Sequence, residues 1–134
     1  HGVFRQSVLT AKDRRVKITA PPVVLFRKRD AFAEIDVRVT NDSDAQWPIV
    51  AGKELAIGYW LHGEGLRYAV HHGVGEPLTK DLAPGDSMTL RLKVAIPITQ
   101  DAYWIELGLY DNGAYWSEFI DVPIMVCQLE RRPE

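Results

Sequence analysis

Apolar and polar residues alternate along several stretches of the chain, which is the pattern of β-strands that bury one face and expose the other. The clearest stretch is Phe32–Thr40, and the same alternation returns in Glu54–His62, Ser87–Ile96 and Tyr103–Tyr110. We find no amphipathic stretch of helical period longer than about two turns. The pattern therefore predicts an all-β fold.

Two further strand regions lie near the ends of the chain and carry prolines. Val16–Phe26 is apolar but is broken by Pro21-Pro22, so we expect an edge strand, a kink and a second short strand there. Tyr115–Val126 is the last strand region, and Pro123 marks a bulge or an edge within it. With these regions, the chain is predicted to form an antiparallel β-sandwich of about seven to nine strands.

Turn-forming residues separate the predicted strands. After the strand Glu54–His62, we expect Leu66–Val70 to return as a short strand and His71–Pro77 to form a Gly-rich loop. The turns are expected at Asn41–Asp44, Gly63–Gly65, Pro84-Gly85 and Asp111–Gly113.

Length and composition limit the function classes. The chain has 134 residues, 46% of them hydrophobic, which fits one domain with a sizeable core. Acidic residues outnumber basic ones by 18 to 16 and no basic stripe is present, which argues against a nucleic-acid partner. No apolar run approaches the ~20 residues that span a bilayer, and no signal peptide is visible. We expect a single domain over residues 1–134, excised from a larger protein because the chain begins His1-Gly2.

Candidate catalytic and metal-binding residues are few. Glu106 and Asp111 lie five positions apart, which places them on opposite faces of an ideal strand and disfavours a paired-carboxylate hydrolase. No G-x-S-x-G elbow and no Gly-rich phosphate loop before a helix is present. His62 and the pair His71-His72 have no third ligand fixed by spacing, so we expect no metal site. The lone Cys127 excludes an internal disulfide. We predict a protein without a cofactor that is not an enzyme.

The outward face of the sheet is the informative feature. Outward positions of a solvated sheet are usually polar, yet here they include Trp60 and Trp104, with Tyr110 at the end of the same strand. Flat rings stack on the apolar C–H faces of sugars, and neighbouring polar groups can bond the hydroxyls. The alternative is that these aromatics are buried by a loop or by another protein subunit, and Trp104 faces outward only if Tyr103 faces inward. The predicted carbohydrate-binding residues are Trp60, His62, Arg91, Trp104, Glu106, Tyr110, Asp111 and Asn112.

Several short motifs resemble those of a known group of domains. The motifs, in order, are Asn41 at a strand end, Trp47-Pro48, Gly58-Tyr59-Trp60, Leu82–Asp86, Val94–Pro97, Ala102–Leu107 and Tyr115-Trp116. Over roughly residues 32 to 126 the chain resembles the immunoglobulin-like C-terminal carbohydrate-binding domain of the ATPase subunit in bacterial O-antigen ABC exporters. It is also similar to a sandwich fused to glycosyltransferases and methyltransferases of surface-glycan gene clusters.

The resemblance implies a function and a cellular setting. The exporter group implies a cytoplasmic domain, associated with the inner membrane through its parent protein, that recognises the finished polysaccharide before export. Domains of this group dimerise through edge strands, and the resemblance makes Ile120–Leu129 the candidate strand for a homodimer. The alternative is an accessory protein-interaction or oligomerisation domain of a glycosyltransferase, with the same aromatics buried against protein.

Overall fold

The fold was derived from a computed structural model, which describes residues 6–27, 32–63, 69–97 and 101–127. A short 3-10 turn at Ala11–Arg14 precedes the first strand. The described ranges contain eight strands: β1 (Val16–Thr19), β2 (Val24–Arg27), β3 (Phe32–Asn41), β4 (Leu55–Gly63), β5 (Ala69–Val74), β6 (Ser87–Ala95), β7 (Ala102–Asp111) and β8 (Tyr115–Cys127).

The strands form two sheets, which confirms the predicted immunoglobulin-like β-sandwich. One sheet has three strands in the order β1-β3-β6, and the other has five in the order β2-β8-β7-β4-β5. All pairs are antiparallel except β2 with β8, which is parallel. The chain changes sheets between β1 and β2 at Pro21-Pro22, so the predicted kink is confirmed. The described residues contain no helix long and apolar enough to cross a membrane.

The inward positions of the alternating strands form the core between the sheets. Tyr103 is 3% exposed, which confirms that it faces inward and that its neighbour Trp104 faces outward. The turns also have the predicted backbone: Gly85 has φ +87°, as a type II turn requires at its third position, and Asn112 and Gly113 both have positive φ. Other buried residues of the core are Ile35, Val37, Ile57, Leu61, Leu90, Leu92, Ile105, Leu107 and Ile124.

Two predictions about the edges of the five-stranded sheet are wrong. The region His71–Pro77 is not all loop, because Ala69–Val74 forms β5 and pairs with β4 despite its glycine. The end of β8 is not an edge, because β2 pairs with it from Ile124 to Cys127. Most of the predicted strand Leu66–Val70, together with residues 128 and 129, lies outside the described residues.

Asp111 belongs to a buried network and not to an exposed sheet face, which corrects its prediction as a carbohydrate-binding residue. It pairs in register with Leu55, whose side chain faces the core, and its own side chain is fully buried. Its carboxylate accepts hydrogen bonds from the backbone N–H groups of Val8 at 2.6 Å and Leu9 at 3.1 Å. Arg14 Nε donates to the same carboxylate at 3.0 Å, and its guanidinium lies 3.5 Å from the ring centre of Tyr115. Asp111 therefore attaches the N-terminal segment to the β7–β8 hairpin.

Asp111→Asn is expected to destabilise the fold by about 3 kcal/mol, because the buried guanidinium of Arg14 loses its counter-charge. Urea unfolding followed by circular dichroism measures the change. Asp36→Asn is the matched control, since Asp36 forms an exposed ion pair with Arg91 and its loss should leave the midpoint almost unchanged. Equal effects of the two substitutions would contradict the structural role given to Asp111.

Candidate functional site

The outer face of the five-stranded sheet carries a continuous aromatic surface. We define the aromatic face as the side chains of Trp60, His62, Trp104, Glu106, Trp116 and Phe119. β4 supplies the first two, β7 the next two and β8 the last two. The antiparallel register brings them together, since Trp60 pairs with Glu106 and His62 pairs with Trp104.

Two glycines make room for the β8 aromatics. Gly58 on β4 lies directly opposite Gly108 on β7. A Cβ atom added to Gly58 would lie 1.6 Å from Trp116 Cζ3, and one added to Gly108 would lie 2.6 Å from Phe119 Cδ1. Trp116 and Phe119 therefore occupy the space that side chains at these two positions would fill.

The β8 rings pack against their neighbours on β4 and β7. The ring centres of Trp60 and Trp116 are 4.2 Å apart, and those of Trp60 and Phe119 are 5.5 Å apart. Tyr110 meets Trp116 edge to face with ring centres 5.1 Å apart. These contacts fix the orientation of the rings before any ligand arrives, which lowers the entropic cost of binding.

A second aromatic pair lies one row further along the sheet. The rings of His62 and Trp104 are stacked, with centres 4.8 Å apart and planes only 9° from parallel. His62 Nε2 lies 3.2 Å from Glu106 Oε1, so the imidazole is held from two sides. Glu106 Oε2 has no hydrogen-bond partner among the described residues. The carboxylate of Glu106 thus lies between the two groups of rings with one oxygen available.

The indole N–H groups separate structural from surface tryptophans. Trp47 is fully buried, and its Nε1 donates to the carbonyl of Asp13 at 2.8 Å. Trp60, Trp104 and Trp116 are only partly buried, and within the described ranges their N–H groups make no hydrogen bond. Their indole nitrogens are also not fully buried. Among the described side chains, Ser117 Oγ is the one fully buried polar atom without a hydrogen-bond partner. These N–H groups consequently reach solvent and can donate to a ligand.

Three predicted site residues lie away from the aromatic face or beneath it, in addition to Asp111. Arg91 belongs to β6 in the other sheet, where its Nε donates to Asp36 at 2.9 Å. This hydrogen bond with the guanidinium holds the pKa of the Asp36 carboxyl below its usual value. The side chain of Tyr110 lies on the outer side of β7, as predicted, but it is only 8% exposed because Trp116 packs over it. Asn112 bonds the backbone of Gln6 and Glu54 from the turn. Alternation along the sequence predicts on which side of a strand a residue lies. It does not predict that Arg91 belongs to the other sheet or that Trp116 covers Tyr110.

The three histidines considered as metal ligands, His62, His71 and His72, do not converge. His71 Nε2 lies 3.0 Å from the hydroxyl of Tyr59, whose pKa is raised by burial. His72 pairs in register with Trp60, and His62 stacks on Trp104. Among the described residues, no group of three or more His, Cys, Asp or Glu side chains has the proximity needed to hold a metal ion.

Trp116 and Phe119 are the site residues that sequence reasoning missed. Their signal was present in the glycines at the middle of two alternating strands, because an interior strand glycine often marks the close approach of another group. The bulge in β8 hid the position of Phe119: Glu118 has φ +58°, and the β7–β8 register shifts between Leu107 and Leu109, beyond the pair of Tyr110 with Trp116.

Comparisons with known proteins give the chain no family. No protein-family model matches it, and no curated protein matches it. Among solved structures it is similar to the alkylpurine DNA glycosylase AlkC of Pseudomonas fluorescens, at 12% identity and a TM-score of 0.45, over 82% of this chain and 30% of that chain. The E. coli chaperone DraB gives 15% identity and a TM-score of 0.46 over 84% and 54%. A β-glucosidase of Listeria innocua is similar at 12% identity and a TM-score of 0.44, over 84% of this chain and 16% of that chain. This chain thus spans about half or less of each protein, and these likenesses carry no argument about function.

Gly58→Ala is expected to destabilise the domain by about 2 kcal/mol, because the new methyl group overlaps the ring of Trp116. The backbone at Gly58 does not have positive φ, so the cost arises from the ring and not from strain. Urea unfolding measures it, and near-ultraviolet circular dichroism reports the displaced indole.

A double-mutant cycle with Trp116→Ala isolates the contact with that ring. Once the ring is gone, Gly58→Ala should be neutral or slightly stabilising, since alanine is favoured over glycine in a strand. An undiminished cost in the Trp116→Ala background would show that Trp116 does not lie over Gly58.

Proposed function

We propose that this chain is a non-catalytic carbohydrate-binding domain that recognises a bacterial surface polysaccharide on its aromatic face. The observation that carries the proposal is the arrangement of Trp60, Trp104 and Trp116. Their rings are held in place by protein contacts, their N–H groups reach solvent, and the carboxylate of Glu106 lies among them. Structural tryptophans of a sandwich are instead buried with their N–H bonded, as Trp47 is.

The aromatic face supplies the two interactions that a sugar needs. The faces of aromatic rings carry partial negative charge, which attracts the C–H groups on the apolar side of a pyranose ring. The indole N–H groups can donate to sugar oxygens, and Glu106 Oε2 can accept from a hydroxyl. A hydrogen bond to a charged carboxylate is stronger than one between two neutral groups. Glu106 is therefore proposed as the main polar contact, oriented by His62.

The shape of the face supports an extended ligand. The rings lie along the open side of a sheet, and Phe119 and Val74 at its rim are 43% and 38% exposed. A chain of sugars can lie across such a surface, whereas small molecules are usually enclosed in a cleft. The export setting, in which the domain selects a finished O-antigen in the cytoplasm, rests on the resemblance of the motifs between residues 32 and 126.

A protein partner is the second candidate, and one observation favours it. Leu25 on β2 and Met125 on β8 pair in register and are 73% and 44% exposed on the same side of the sheet. Exposed apolar side chains that continue an aromatic surface are typical of interfaces. Under this alternative the domain mediates oligomerisation, and sedimentation at increasing concentration would reveal it.

Trp104→Ala and Trp60→Ala are each expected to weaken polysaccharide binding roughly tenfold, the effect of ~1.4 kcal/mol. Isothermal titration with a bacterial O-polysaccharide that binds the unaltered domain measures the affinity. Arg91→Ala is the control, because Arg91 is a surface residue of the opposite sheet and should leave the affinity unchanged. Loss of affinity in the control with no change in the tryptophan variants would place the binding site on the other sheet.

A further inference from the structure

We infer that the sugar segment bound by the aromatic face carries no negative charge and that the face excludes uronic acids and phosphorylated sugars. This inference rests on the proposed function and names its substrate class as neutral or amino sugars. It follows from the carboxylates on and beside the aromatic face and from the scarcity of Lys and Arg among the described strands of this sheet.

Two carboxylates lie side by side on the outer surface. Trp60, Glu106 and Asp121 form one row across β4, β7 and β8, since Glu106 pairs in register with both of the others. Directly opposed residues of neighbouring strands have Cβ atoms about 5 Å apart, so both carboxylates are within reach of one sugar unit that stacks on Trp60. Asp121 is exposed and has no hydrogen-bond partner among the described residues.

Basic side chains are almost missing from this sheet. Its five strands contain one Lys or Arg, which is Arg27 at the end of β2. Arg27 pairs with Cys127, four residues beyond Pro123, the register partner of Trp104. Along β8, Cys127 and Pro123 are therefore about 13 Å apart. This distance exceeds the electrostatic screening length of about 8 Å at physiological salt.

The opposite sheet shows that this lack of basic residues is specific to the aromatic face. On the outer side of the three-stranded sheet, Arg91 forms ion pairs with Glu34 and Asp36. On the aromatic face, His62 is the ionic partner of Glu106 within the described ranges. His72 lies beside Trp60 in the same row, so His62 and His72 together could at most balance the two carboxylates, and the local charge does not become positive.

An anionic sugar would meet repulsion that a neutral sugar does not. The carboxylate of a uronic acid stacked on Trp60 would lie near Glu106 and Asp121, with no Lys or Arg on the described parts of β4, β5, β7 and β8 to compensate, and its own hydration would be lost. A protonated amino group at the same position would be attracted. Discrimination therefore arises from a repulsive element built into the face, beside the rings that attract all pyranoses.

The test uses an array of purified bacterial polysaccharides of known composition, grouped as neutral, amino-containing and acidic. The tightest neutral polysaccharide is also oxidised at its primary hydroxyls, which converts some units to uronic acids on the same backbone. We expect the unaltered domain to bind the oxidised form at least ~10-fold more weakly than the parent. In Glu106→Gln/Asp121→Asn, the ratio of the two affinities should fall to less than about threefold.

The matched control is Glu34→Gln/Asp36→Asn, which changes the net charge by the same amount on the opposite sheet and should keep the ratio of the unaltered domain. Equal binding of the parent and oxidised polysaccharides, or an equal fall of the ratio in both variants, would overturn this inference and leave the proposed function standing. Binding to no polysaccharide of the array would overturn the proposed function itself.

Discussion

The pairing of Gly58 with Gly108 is the constraint on which the aromatic face depends. Two residues without side chains, opposite each other on neighbouring strands, leave a hollow in the outer face of the sheet. Trp116 and Phe119 fill it, and Trp60 packs against both. Larger residues at the two glycines would push these rings away from the sheet and away from Trp60.

The same sandwich carries two chemically different outer faces. The outer side of the three-stranded sheet carries charged side chains, among them Arg91, which forms ion pairs with Glu34 and Asp36. The five-stranded sheet exposes rings and two carboxylates, that of Glu106 beside His62 and that of Asp121 without a partner among the described residues. The buried carboxylate of Asp111 connects the N-terminal segment to the turn from which β8 begins, and β8 carries Trp116. The buried Asp111 network and the proposed ligand-binding face thus meet at one hairpin.

Hydrophobic alternation predicted the sandwich because a strand has only two faces and one of them must be buried. It placed Trp104 outward and Tyr103 inward correctly for the same reason. Alternation carries no information on which sheet a strand joins, so Arg91 was assigned to the wrong surface. It also cannot reveal that Asp111 would find Arg14, a partner almost a hundred residues away in sequence, because that contact depends on the complete fold. The bulge at Glu118 changed the register of β8, which is why Phe119 was missed.

Binding on the aromatic face is tested by a ¹H–¹⁵N spectrum of the four tryptophan indoles during titration with a neutral bacterial polysaccharide. The N–H resonances of Trp60, Trp104 and Trp116 are expected to shift, because these groups reach solvent on the aromatic face. The resonance of Trp47 should stay in place, because its N–H is bonded to Asp13 inside the fold. Saturable binding with all three surface resonances unmoved would contradict the claim that the aromatic face is the binding site.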